Sequence, residues 1–137
     1  MTIDTLNTLV SGAIWRAEQL DQMDMEAGSV WMEVSKLEEA LAKVLPVKEP
    51  EGRIARRGAV RAALKAKQHG RARGLAAQYT AEERAPKSLR ADLLGILESD
   101  AQALAERFPH AAKHHTPSDL QSCVIHLLAG GPFGLAA

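Results

Sequence analysis

Four nitrogen and sulfur donors crowd the end of this chain: His110, His114, Cys123 and His126. The two histidines are spaced i, i+4 and the Cys–His pair i, i+3, so each pair would share a face if helical. Four such ligands are what a structural zinc site needs. Pro109 and Pro117 interrupt the stretch and leave room for one helical turn between them. A polar loop followed by a partly buried Cys and His is the simpler reading, so neither metal nor other cofactor is expected.

Paired carboxylates are the next candidates. Glu18-x-x-Asp21 and Glu38/Glu39 put two acids on one helix, as all-α metal-dependent phosphohydrolases do. The matching second half of such a set is missing, and charged helix faces produce this spacing by chance. Nucleophile elbow, Gly-rich phosphate loop and Glu-x-x-His pair are all absent from the sequence. Cys123 has no basic neighbour in sequence to make it a thiolate. The expectation is a protein that is not an enzyme.

The strongest chemical signal is positive charge. Gly52 to Gly74, "GRIARRGAVRAALKAKQHGRARG", carries eight bases and no acid, in a chain of 17 bases and 17 acids. On a helical wheel Arg53, Arg56, Arg57, Arg61, Lys65, Lys67 and Arg71 fall within about 100° of Arg57. Arg73 follows. Ala55, Ala59, Ala62, Ala66 and Gly70 lie opposite, while Val60 and Leu64 sit inside the basic sector. A small-residue face lets a helix approach its neighbour closely and turns the basic face outward. Guanidiniums grip phosphate bidentately, so a nucleic-acid backbone is one expected ligand. No aromatic lies in the block, so it offers no platform for base stacking and would read the backbone with little sequence preference. A helix-turn-helix reading is weak, because "HGRARGLAAQYT" offers a turn but a poor recognition helix. The competing expectation is pairing with the acids of residues 1–51, which hold ten acids and four bases, net −6.

These groups must be positioned by helices. Ala is abundant, Val, Ile and Thr are few, and five residues are aromatic, which together favour an all-α bundle. Apolar residues recur at Ile3, Leu6, Val10, Ala13, Ala17 and Leu20, then at Met23, Ala27, Val30, Val34, Leu37, Leu41 and Val44. The rhythm slips between Leu20 and Met23, marking a stammer in one rod or a turn between two helices. One long or kinked acidic helix over 1–45 is favoured, with a helix pair as the alternative. "PVKEPEG", 46–52, reads as a linker, and the bundle portion runs from 53 to 129 with the basic helix over 53–69. Thr80 and Glu83 fit a capping box. Leu89, Leu93, Ile96, Leu97, Ala101, Leu104 and Phe108 make an amphipathic helix, and Thr116 with Pro117 starts another. Residues 130–137, "GGPFGLAA", are a flexible apolar tail.

A lone cysteine, an N-terminus without a basic leader and no run of 18 apolar residues point to a cytoplasmic protein away from membranes. The expected function is a non-catalytic, nucleic-acid-associated subunit of a nucleoprotein assembly, binding through Arg53, Arg56, Arg57, Arg61, Lys65, Lys67, Arg71 and Arg73. The alternative is a protein-binding regulator or inhibitor acting through its acidic N-terminal helix and tail, with Trp31, Glu33, Glu38, Phe133 and Leu135 as contacts. A protein partner or homo-oligomer is expected either way.

Overall fold

A computed structural model describes residues 1–107; the expected last helix, the His–Cys cluster, Phe108, Phe133 and Leu135 lie outside the described residues. Five helices make up the fold: α1 (Ile3–Gln22), α2 (Gly28–Val44), α3 (Pro50–Lys65), α4 (His69–Thr80) and α5 (Lys87–Arg107), with no strand among the described residues. The all-α expectation holds.

The N-terminal segment is a helix pair rather than one rod. Thr2 caps α1, its hydroxyl accepting the Thr5 N–H at 3.1 Å. The periodic Leu6, Val10, Ala13 and Ala17 are the buried residues of this helix. Its end is a Schellman turn: the Met25 N–H reaches the Leu20 carbonyl at 2.8 Å and the Asp24 N–H reaches Asp21 at 3.1 Å. Asp24 takes the left-handed conformation that glycine usually supplies there. The chain reverses and α2 begins, with the Glu26 carboxylate accepting the Gly28 N–H at 2.6 Å.

The same device ends α3. Gln68 N–H bonds to the Ala63 carbonyl and Lys67 N–H to Leu64, each at 2.9 Å, with Lys67 left-handed. The expected basic helix over 53–69 is therefore cut: α3 starts three residues early, with Pro50 in its first turn, and α4 takes the rest. α4 forms despite Gly70 and Gly74 because Ala72, Leu75, Ala76 and Tyr79 bury one face. Thr80 is the last residue of α4, not a cap for a new helix. Its hydroxyl bonds back to the Ala76 carbonyl at 2.9 Å.

Side-chain links fix the directions. Arg16 meets Glu33 at 3.0 Å and Trp31 Nε1–H meets Asp21 at 3.0 Å, so α1 and α2 run antiparallel. Ser35 donates to the Ala59 carbonyl at 2.8 Å and Arg56 to the Ala42 carbonyl at 3.0 Å, so α3 returns along α2. His69–Asp100 at 2.9 Å ties the start of α4 to the far part of α5, and Arg57–Asp92 at 3.2 Å ties α5 to α3. Thus α3 is the central helix. Its buried side includes Ala55, Ala59, Ala62 and Ala63, and also Val60, which the wheel placed among the charges. Leu89 and Leu93 of α5 are fully buried. Each such leucine is worth about 1.5–3 kcal/mol of transfer free energy.

Candidate functional site: the basic segment and the outer face of the N-terminal helix

Central placement of α3 changes what its charges can do. Arg56 is 4% exposed. It spends its five N–H donors inward: Nε and Nη2 grip Glu82 at 2.6 and 2.9 Å, Nη1 serves the Leu45 and Gly52 carbonyls at 3.1 and 2.8 Å, and Nη2 also serves Ala42 at 3.0 Å. Ala42 and Leu45 belong to the end of α2, where carbonyls lack intrahelical partners. One guanidinium therefore closes α2, braces the start of α3 and anchors the segment after α4. Gly52 permits this approach, because a Cβ there would overlap the Pro46 carbonyl.

A second, half-buried polar group lies one step along. Arg71 bonds Ser35 Oγ at 3.1 Å and the Glu39 carboxylate at 2.8 Å, joining α4 to α2. Tyr79 stands between the two arginine pairs, with Arg56 5.6 Å from its ring centroid. Burial, then the Glu39 charge, push its hydroxyl up to about 12, against the pull of Arg56. The phenol is thus a neutral packing element. Glu38 differs from Glu39 in having no cation paired with it among the described residues. Its carboxyl is buried against Gly58, where a Cβ would sit 2.8 Å from Glu38 Cδ, and burial raises it to about 7.

The nominated phosphate ligands thus divide. Arg56 is buried, Arg57 pairs with Asp92, Arg71 pairs with Glu39, and Arg53 donates to the Lys48 carbonyl. Lys65 lies 4.2 Å above the Trp31 ring. Arg61, Lys67 and Arg73 are exposed, with no side-chain partner among the described residues. The expected single basic face over 53–71 is not assembled, because the turn at Lys67 puts Arg71 and Arg73 on another helix. Among the nominated partner contacts, Trp31 is 5% exposed and Glu38 is 8% exposed, so neither offers a surface. Glu33 is exposed but paired with Arg16.

Sequence reasoning missed Trp15. It is 63% exposed on the side of α1 turned away from Leu6, Val10, Ala13 and Ala17. Leu9 on the same helix, Met23 at its C-cap and Met25 just after it are also exposed. The missing signal was available: Trp15 falls outside the apolar repeat of α1, the position from which a core tryptophan is excluded.

Comparison with known proteins finds no family model, no curated protein and no solved structure that matches this chain. The site must be read from its own geometry. Among the described residues no cluster of three or more His, Cys, Asp or Glu could hold a metal, and no helix is long and apolar enough to cross a membrane.

Proposed function

We propose that this protein is a non-catalytic helical interaction module that engages a protein partner through the outer face of its acidic N-terminal helix, acting as a regulator, inhibitor or assembly subunit. The exposure of Trp15 carries the reading. An indole left in water forfeits a large hydrophobic gain, and tryptophan is enriched where proteins meet and among the residues that dominate binding energy. Nothing among the described residues requires it there, since α1 is already held to α2 by its other face.

A second reading is favoured by Arg61, Lys67 and Arg73: contact with a nucleic-acid backbone, in a nucleoprotein assembly. Of the eight nominated cations, only these three are exposed without a side-chain partner among the described residues, so the salt dependence of this segment would be shallow. Three neutralised phosphates give a log–log slope of about −3 on duplex DNA, against about −7 for all eight.

One experiment separates the two. A photo-crosslinking residue is placed at position 15 in one variant and at 61 or 73 in another, each expressed in the cells that make the protein. The protein-binding reading expects a discrete protein adduct at 15 that an Ala at Met23 weakens. Nucleic-acid adducts at 61 and 73, with none of protein at 15, would replace it with the second reading.

A further inference from the structure

The outer face of α1 also says something about its partner. Residues 1–27 hold Asp4, Glu18, Asp21, Asp24 and Glu26 against Arg16, five acids to one base and a side-chain net of −4. Three of these six charges are used internally. Arg16 pairs with Glu33, Asp21 accepts from Trp31 Nε1–H, and Glu26 caps α2. What remains on α1 and its turn is Asp4, Glu18 and Asp24, with no free base. The last turn of α1 carries no basic residue either, so the negative end of its dipole is uncompensated beside Met23 and Met25.

Apolar groups are interleaved with this charge. Trp15, Gln19 and Met23 are spaced i, i+4, i+8 and form one outward stripe, with Leu9 to one side. Trp15, Met23 and Met25 are 63%, 59% and 55% exposed. Gly12 lies between Leu9 and Trp15, and a Cβ there would meet nothing within 4 Å. The backbone is therefore bare beside the indole. Methionines adapt to partners of varied shape, and an acidic rim selects for opposite charge while steering its approach.

We infer that the α1 stripe of Leu9, Trp15 and Met23, rimmed by Glu18 and Asp24, is a docking surface for a basic amphipathic helix of another protein. This rests on the protein-interaction reading above and adds the chemistry of the partner. Charge complementarity decides the occupant. A second α1 would bring Asp4 and Glu18 against the same residues of its mate, with no free base to offset them. A basic helix would set its apolar ridge along the indole and Met23, with Lys or Arg side chains reaching Glu18, Asp24 and the α1 terminus.

The test titrates the full chain with a Lys/Leu peptide of amphipathic helical periodicity, and with a Glu/Leu peptide sharing its apolar face. The readout is the emission and quenching of Trp15, isolated as the difference from Trp15→Phe. The basic peptide is expected to shield the indole from quencher and to weaken steeply with salt. Trp15→Ala should cost about tenfold or more in affinity. Gly12→Gln should also weaken binding, by blocking the bare backbone, while leaving the helical signal intact. Equal binding of the acidic peptide, or an affinity unmoved by Trp15→Ala and Gly12→Gln, overturns the inference. So does a dimer in sedimentation that Trp15→Ala dissociates, which would make a second copy the occupant. A Trp15 already shielded in the free chain would assign the surface to the chain's own residues 108–137 and overturn it likewise. If position 15 crosslinks a protein but the basic peptide fails, the interaction reading stands and the partner's charge class falls.

Discussion

Arg56→Met should be the most damaging single change in the basic segment, and Arg61→Met nearly silent. The argument is local. Arg56 makes five hydrogen bonds at 2.6–3.1 Å and is 4% exposed. Removing one partner of a buried pair costs about 3–5 kcal/mol, because the other is left uncompensated. Here Glu82 is 30% exposed and can turn to water, which lowers its share. The Ala42 and Leu45 carbonyls at the end of α2 lose their donor, at about 1–3 kcal/mol for each that stays buried. Together these place the loss at about 3–4 kcal/mol, a large part of the roughly 5–15 kcal/mol that holds a domain together. Arg56→Lys keeps the charge but has three donors rather than five and no fork, so about 2 kcal/mol should still be lost. Arg61 is exposed and should cost less than about 0.5 kcal/mol. Urea unfolding followed by far-ultraviolet circular dichroism measures all three. The double variant Arg56→Met/Glu82→Leu should recover part of the loss, since no charge is then stranded. Equal midpoints for Arg56→Met and Arg61→Met would refute the account of Arg56 as an internal tie.

Glu38 gives a pH signature. Its folded pKa of about 7 lies above its ordinary 4.5, so the protonated form favours the fold. That stability is fully present below about 4.5 and is lost as pH rises through about 7, by about 2 kcal/mol once the water reaching this residue is discounted. Glu38→Gln should match the wild type in acid, exceed it at pH 8, and flatten the urea midpoint between; an unchanged pH profile would show that the carboxyl is solvated. Lys67→Gly should raise the thermal midpoint, because a lysine at positive φ gives up about 1 kcal/mol that glycine does not. Gly52→Ala should destabilise by more than the same change at Gly74, since a Cβ at 52 meets the Pro46 carbonyl while one at 74 meets open space. At Gly74 the substitution should stabilise by about 0.5–1 kcal/mol; paired thermal melts decide the order.

The sequence told much about α1, where an outer helix shows its buried stripe plainly: Leu6, Val10, Ala13 and Ala17 were read from spacing alone. It told less about where helices stop. Both hidden stops are Schellman turns, and the residue that marks such turns in sequence is glycine. Asp24 and Lys67 occupy that position instead, so the break at 23–27 showed only as a slip in rhythm and the end of the basic helix was read at 69, four residues late. Arg56 was misplaced for a different reason. A wheel assigns each residue to one of two faces, whereas α3 is bordered by α2, α4 and α5, and a helix so enclosed must bury charged positions with their partners. Glu82, the partner that makes burial of Arg56 tolerable, lies 26 residues away, beyond the reach of any local pattern.

That separation has a consequence for the order in which the chain assembles. α1 can close on α2, and α2 on α3, as soon as each emerges, because these are antiparallel neighbours joined by short turns. Arg56 cannot complete its set until residue 82 exists. During synthesis at about 5–20 residues per second it waits about one to five seconds with a charged head and only carbonyls to hold. Closing a contact across 26 residues also costs more chain entropy than pairing adjacent helices, so the contact is expected to form with the docking of the α4 end rather than in the nucleus. Interactions made after the transition state chiefly slow escape from the native state. Weakening Glu82 should then quicken unfolding and leave the refolding rate nearly untouched, so Arg56 acts less as a guide to the fold than as the latch that keeps it shut.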